Sequence, residues 1–161
     1  MGGKVFKNCK PIERRSVPDL IEELRKLGFG DHIVKYEICG SYRRGKENFS
    51  DLDIVILPKS TFDTWFTNLK LEKDKGRFGY YLMLKGHQID FFTSAEDEWW
   101  TQVCTWTGSV GFNLELKRHM SKQGYEYNRF GVYESGKKLS IDSEEDIFKL
   151  ANLDFFKPER R

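Results

Sequence analysis

The 161-residue sequence is short of several things, and each shortage removes a class of function. No apolar run approaches the roughly 18 residues that a membrane-spanning helix needs. The opening stretch, MGGKVFKNCKPIERR, has no apolar centre of the kind a secretory signal carries, so the expectation is an intracellular protein of cytoplasm or nucleus, or one packaged in a virion. There are only three cysteines, Cys9, Cys39 and Cys104, widely spaced and without a CxxC or a Cys/His ligand pattern. That excludes a disulfide scaffold and a zinc finger. No internal repeat or low-complexity segment is present, which excludes solenoids and tails. The net charge of +2 has little meaning by itself.

What is present is enough apolar and aromatic material, 39% and 15%, to bury a core. Positive charge is clustered: Arg14-Arg15, Arg43-Arg44-Lys46, Lys117-Arg118-Lys122, Lys137-Lys138, and Lys157 with Arg160-Arg161. Any one such cluster is ordinarily a solvated surface; several beside a phosphoryl-transfer site would track a nucleic-acid backbone.

The pattern of apolar residues predicts a helix capped by Ser16, with Leu20, Ile21, Leu24 and Leu27 on one face and Gly28 as its stop. Strands are expected at Ile33 to Cys39 and Asp51 to Leu57, a helix over 60–70, and a hairpin of Arg77 to Leu84 with His87 to Phe92 turning at Lys85-Gly86. A short helix is expected over 96–103. After Gly108 come a helix carrying Phe112, Leu116 and Met120, a hairpin of Tyr125 to Glu134 with Lys138 to Ile141, and a last helix opened by Ser143 and Asp146. A boundary near residue 104 separates a catalytic half, 1–104, from a smaller α+β half, 105–161.

The chemistry concentrates in Gly40-Ser41-Tyr42-Arg43-Arg44-Gly45 and Asp51-Leu52-Asp53. Alternate residues of a strand share a face, so Asp51 and Asp53 project together while Leu52, Ile54 and Ile56 face away. Adjacent carboxylates repel, and an apolar strand holds them only with a compensating charge. A divalent cation supplies it, because Mg²⁺ takes carboxylate and phosphate oxygens together. Asp90, in Gln88-Ile89-Asp90-Phe91-Phe92, is a third acid on an apolar strand. If that strand lies beside the first, three carboxylates suit two metals about 3.5–4 Å apart, which clamp the attacking and leaving oxygens of an in-line displacement. Gly40 and Ser41 suit a phosphate cradle, and Arg44 adds a fork-shaped cation for the same oxygens. Each part alone is commonplace: most Asp-x-Asp pairs are loop acids, and most Gly-Ser pairs are turns. Their combination in this order carries the signal.

That combination resembles the nucleotide-binding motif of DNA polymerase family X, within the nucleotidyltransferase superfamily. Trp106-Thr107-Gly108-Ser109, Phe112-Asn113 and Lys117-Arg118 resemble the family's segment for the incoming nucleotide. Ser143 to Phe148, with Leu153 and Pro158-Glu159-Arg160, resembles its C-terminal end. The resemblance implies an α+β fold: a palm with a mixed or antiparallel sheet and helices on one face, plus a small α+β C-terminal subdomain. It implies a DNA-directed DNA polymerase that adds nucleotides to a primer 3′-hydroxyl and releases pyrophosphate, filling gaps in repair. Asp51, Asp53 and Asp90 would hold two Mg²⁺ ions, with Mn²⁺ as a substitute. Gly40, Ser41, Arg44 and Ser50 would meet the triphosphate, Trp106 and Gly108 the sugar, and Asn113 the minor-groove side of the nascent pair. Lys117 and Arg118 would contact DNA. The implied partners are primer-template or gapped DNA and deoxynucleoside triphosphates, with no membrane, and a monomer is expected.

Three departures from the family pattern matter. Thr105-Trp106 replaces a Tyr-Phe pair, which resembles the terminal-transferase branch and implies looser sugar discrimination. Lys117 stands in place of an arginine, which implies modest fidelity. Gln88 replaces another arginine, with no consequence that the sequence alone defines. About 30 residues precede the catalytic motifs, and the Gln88 to Thr93 run resembles the minimal viral members of the family, of the African swine fever virus type. A template-independent terminal transferase, a nucleotidyltransferase acting on other acceptors, and a non-catalytic DNA-binding module remain the alternatives.

Overall fold

A computed structural model of the chain describes residues 6–161; the first five residues of the N-terminal stretch read above for a signal lie outside the described residues. Within it the elements run β1 (Ile12–Glu13), α1 (Val17–Lys26), β2 (Ile33–Ile38), α2 (Gly40–Arg43), β3 (Asn48–Phe49), β4 (Asp51–Pro58), α3 (Phe62–Asn68), β5 (Lys73–Lys75), β6 (Tyr80–Leu84) and β7 (His87–Thr93). Then follow α4 (Trp99–Thr107), α5 (Val110–Lys122), β8 (Tyr125–Asn128), β9 (Gly131–Glu134), β10 (Lys137–Lys138) and α6 (Glu144–Leu150). Among the described residues no helix is long and apolar enough to cross a membrane.

The chain divides into two compact units at Thr93/Ser94. The sequence places its boundary some ten residues later. The difference arises because α4 packs against α6, and its Cys104 is buried with Leu116, Met120 and Phe148 of the second unit.

The first unit is built on a five-stranded sheet in the order β2-β4-β7-β6-β5, antiparallel except where β4 and β7 run parallel. Period-two alternation sorts β4 into two faces. Leu52, Ile54 and Ile56, all fully buried, join Ile89 and Phe91 under helices α1 and α3. Leu20, Ile21 and Leu24 come from α1, and Phe62, Trp65 and Phe66 from α3. Phe91 sits among Phe29, Phe62 and Phe66, with ring centroids 5.3, 5.9 and 6.4 Å away. Both helices therefore cover one face, and Asp51 and Asp53 are left on the other.

Local chemistry explains where elements begin and end. Gly28 stops α1 at φ +87°, a backbone state that costs a side-chain-bearing residue about 1–2 kcal/mol. Ser16 occupies the N-cap position, but its hydroxyl donates to the Glu13 carbonyl rather than accepting from the helix. The Arg77 to Leu84 strand is shorter than expected. Gly76 N–H donates to Gly79 O, folding 76–79 into a turn between β5 and β6. The β6–β7 turn is at Lys85-Gly86, both at positive φ, as the sequence indicates.

In the second unit the expected two-stranded hairpin is a three-stranded sheet, β10-β9-β8. Asn128 Oδ1 accepts from Phe130 N–H at 2.8 Å and turns the chain inside what reads as one strand. Ser143 caps α6 as expected: its Oγ accepts from Asp146 N–H at 3.2 Å and donates to Asp146 Oδ2 at 2.8 Å. The aromatic seat of Phe91 makes it the anchor of the first unit. Phe91→Ala is expected to lower unfolding free energy by about 3–5 kcal/mol in urea titrations, whereas Phe78→Ala, at a half-exposed side chain, changes it by less than about 0.5 kcal/mol.

Candidate active site

The parallel pairing of β4 with β7 puts Asp53 directly opposite Asp90, and Asp51 opposite Gln88. Partners in a ladder point to the same face, so three carboxylates distant in sequence occupy one patch of the helix-free face. Asp90 is fully buried. Its Oδ1 accepts from Gln88 Nε2 at 2.9 Å, and its Oδ2 is buried with no hydrogen-bond partner. Asp51 Oδ1 accepts from the Ser50 hydroxyl at 2.9 Å.

Asp53 keeps part of its surface open, but its carboxyl end lies hard against Gly40. A Cβ at position 40 would stand 1.8 Å from Asp53 Oδ2, and Gly40 has a φ of +55°. Only glycine fits both the backbone state and the approach. Gly40 opens α2 directly after β2, and the strand end is tied to β4 because Cys39 N–H donates to Asp53 O at 2.8 Å. The Gly40-Ser41 segment, read from sequence as a turn, is thus a single helical turn. Within it Arg44 Nη2 donates to Ser41 Oγ at 3.0 Å, so the two groups assigned to phosphate stand side by side. The strand before Asp51 is anchored by β1–β3 pairing, Ile12 opposite Phe49, and by the Arg14 guanidinium 4.3 Å from the Tyr42 ring centre.

Electrostatics reflects the crowding. Burial pushes the Asp53 carboxyl well up from its usual range, and the charges of Asp51 and Asp90 push it further, against an opposing pull from Arg44. Burial raises Asp90 from 3.8 to about 7, with the Gln88 hydrogen bond opposing and Asp51 adding to the rise. Among the described residues, no three His, Cys, Asp or Glu side chains are closed into a ligand shell. The donor chemistry nonetheless fits a hard divalent cation: clustered carboxylates that resist ionising together, and one buried carboxylate oxygen with nothing bound to it.

The nucleotide and DNA residues expected from the C-terminal motifs lie in the second unit. Trp106 Nε1 donates to Gln102 Oε1 at 2.9 Å, and the Arg129 guanidinium lies 5.9 Å from its ring centre. Gly108 ends α4 at φ +66°. Asn113 Nδ2 donates to the Thr105 carbonyl at 2.8 Å, and its Oδ1 is buried without a partner. Thr105 Oγ1 lies 3.3 Å from the Tyr127 hydroxyl. On α5, Lys117 is exposed and Arg118 pairs with Glu115. The sequence reading did not find the bond from Gln88 to Asp90; a polar residue two before an acid on an apolar strand was its only trace.

Two expectations follow from this geometry. Below pH 4 Asp90 is protonated in folded and unfolded chains alike. Raising the pH ionises it first in the unfolded chain, so in metal-free protein its contribution to stability is lost between pH about 4 and 7, amounting to about 4 kcal/mol at most. Urea unfolding in EDTA at pH 4.5 and 7.5 checks this: Asp90→Asn shows a smaller fall than wild type. Gly40→Ala displaces the Asp53 carboxyl from its seat. It is expected to weaken Mn²⁺ binding about tenfold, while costing only about 1–2 kcal/mol of stability, as read by calorimetry and thermal melts.

Comparison with known proteins agrees with this arrangement. The family profile described as DNA polymerase beta palm matches residues 13–108, and that described as DNA polymerase beta thumb matches residues 102–161. A protein named DNA polymerase/3'-5' exonuclease PolX from Bacillus subtilis (strain 168) is 25% identical over 81% of this chain and 25% of its own length. A DNA nucleotidylexotransferase from Xenopus laevis is 24% identical over 92% of this chain and 40% of its own. The chain therefore spans well under half the length of these relatives. With the palm profile covering more than half of its residues and the thumb profile the remainder of its C-terminal part, the chain belongs to DNA polymerase family X.

Proposed function

We propose that the protein is a DNA-directed DNA polymerase that extends a primer 3′-hydroxyl with deoxynucleotides and fills short gaps in DNA repair. The observation that carries the reading is the register of β4 against β7, which sets Asp53 opposite Asp90 and leaves Asp90 Oδ2 buried and unengaged. In this reading Asp51, Asp53 and Asp90 hold two Mg²⁺ ions, or Mn²⁺ in their place. The ions would neutralise charge on the triphosphate and lower the cost of ionising the attacking hydroxyl.

The chain's own residues do the rest. The 3′-oxygen forms a bond to the α-phosphorus as the bond to the pyrophosphate oxygen breaks. Asp90 helps to orient or deprotonate the 3′-hydroxyl. Ser41 and Arg44, already paired, turn their donors to the β- and γ-phosphates, where the guanidinium meets the charge that builds on the leaving group. Gly40 and the backbone at Ser50 complete the phosphate contacts. Trp106 and Gly108 serve the sugar, Asn113 offers its unpartnered Oδ1 to the minor-groove edge of the new pair, and Lys117 and Arg118 hold the DNA backbone. Positioning and charge neutralisation supply the rate, with no covalent enzyme intermediate. An intracellular setting fits three buried cysteines that are not joined in a disulfide. A viral type and a monomeric state are also part of the proposal, the former supported by the Gln88 to Thr93 run.

A second reading, template-independent addition to a single-stranded 3′ end, is favoured by Trp106 and by the likeness to a nucleotidylexotransferase. Primer extension with Mg²⁺ on a one-nucleotide gap, beside a single-stranded primer, separates the two. Gapped duplex is the expected preferred substrate, and Asp51→Asn lowers incorporation by about a hundredfold or more. No incorporation by wild type with either metal would remove the polymerase reading, and equal rates for Asp51→Asn would remove the site.

A further inference from the structure

Segment 6–10 lies against the face of the sheet that carries the acids. Lys10 N–H donates to Gly86 O at 2.8 Å, and His87 Nδ1 is 3.1 Å from Lys10 O, so the segment is fixed to the β6–β7 turn. Phe6 and Cys9 are buried and pack with Tyr81, and Met83 flanks them. Tyr81 is the ladder partner of Asp90, and Met83 of Gln88. The segment therefore roofs the part of the sheet where Gln88 and Asp90 stand.

Gln88 is fully buried, next to Asp51 on one strand and two residues before Asp90 on its own. Its amide bridges Asp90 and segment 6–10. Nε2 donates to Asp90 Oδ1 at 2.9 Å, and Oε1 accepts from Phe6 N–H at 3.4 Å; the Cys9 thiol, 3.3 Å from the Phe6 carbonyl, lies 3.8 Å from Oε1. A peptide N–H can only donate and a carboxylate can only accept, so these neighbours fix which end of the amide faces which. A purely packing role would be met more cheaply by an apolar side chain, since burying an amide costs free energy unless each end is bonded. A neutral donor has a further property: it restrains one carboxylate oxygen without adding a positive charge that would compete with a bound cation.

We propose that Gln88 is a positioning residue for Asp90: held from behind by the Phe6 N–H, with the Cys9 thiol beside it, its amide engages Oδ1 and leaves Oδ2 unengaged for a divalent cation. Segment 6–10 is then a strap whose docking sets the aim of a metal-binding carboxylate. This rests on the reading of Asp51, Asp53 and Asp90 as cation ligands. It concerns a neighbour that touches neither nucleotide nor metal.

The test is calorimetric titration of the metal-free protein with Mn²⁺ alone, without nucleotide or DNA, alongside thermal melts in EDTA that show which variants fold. Gln88→Met keeps the length and packing but loses the amide, and is expected to bind Mn²⁺ about tenfold more weakly. Cys9→Ala, which leaves Gln88 in place, is expected to weaken binding about threefold. In an Asp90→Asn background Gln88→Met adds no further loss, because a residue that acts through Asp90 has nothing left to aim. Wild-type affinity in folded Gln88→Met overturns the proposal. An equal loss in the Asp90→Asn background does so too, and wild-type affinity in Cys9→Ala overturns the part given to the strap. If Gln88→Met does not fold, Gln88→Asn, which keeps the amide but is one methylene too short, is judged by the same criterion. Absence of Mn²⁺ binding in wild type overturns the cation site itself and this proposal with it, whereas binding that Asp51→Asn abolishes and Gln88→Met leaves intact overturns this proposal alone.

Discussion

The first unit is organised around a repulsion. Asp53 and Asp90 stand opposite each other on adjacent parallel strands, with Asp51 alongside. Burial and mutual charge make it costly to ionise them together. Without a compensating charge, a sheet would be more stable with apolar residues at these positions. The first unit supplies the strain and only part of the relief: Gln88 engages one oxygen of Asp90, Ser50 one oxygen of Asp51, and Arg44 pulls on Asp53 from nearby. A divalent cation would compensate the charge of this patch, and a triphosphate would bring such cations with it.

Holding that repulsion takes a stiff frame, and the opposite face of the sheet provides it. Leu52, Ile54, Ile56, Ile89 and Phe91 are wholly buried under α1 and α3. The alternation of β4 thus fixes two things at once: the apolar residues lock the strand in place, and the acids between them are held in one register. A one-residue slip would exchange the two sets, which is why a well-packed core and a well-placed site are the same constraint here. Gly40 extends it to the phosphate side, because its missing side chain is what lets α2 close onto Asp53.

Much of this was legible in the residues, and the reasons differ by element. Asp51 and Asp53 with Leu52 and Ile54 could be assigned to faces because strand periodicity is local. The Ser143–Asp146 cap and the Lys85-Gly86 turn are likewise local chemistry, and the structure bears them out. That β7 lies beside β4 was a conditional in the sequence, since pairing between segments some 35 positions apart depends on the whole sheet. The turn at Asn128–Phe130 was missed because one Asx contact interrupts an otherwise strand-like run. The helix expected over 96–103 runs from Trp99 to Thr107, and its Cys104 is buried with Leu116, Met120 and Phe148, a contact no local pattern encodes. The linkage of Phe6 and Cys9 to Asp90 through Gln88 spans about 80 positions and left almost no trace.

The central claim is that these three carboxylates share divalent cations. Crystals soaked in Mn²⁺ and a non-hydrolysable deoxynucleoside triphosphate, measured at the manganese absorption edge, address it directly. The account predicts two anomalous peaks about 3.5–4 Å apart, both bonded to Asp51 and Asp53 and one of them also to Asp90. Strong manganese peaks elsewhere, with none within bonding distance of Asp53 and Asp90, would contradict it.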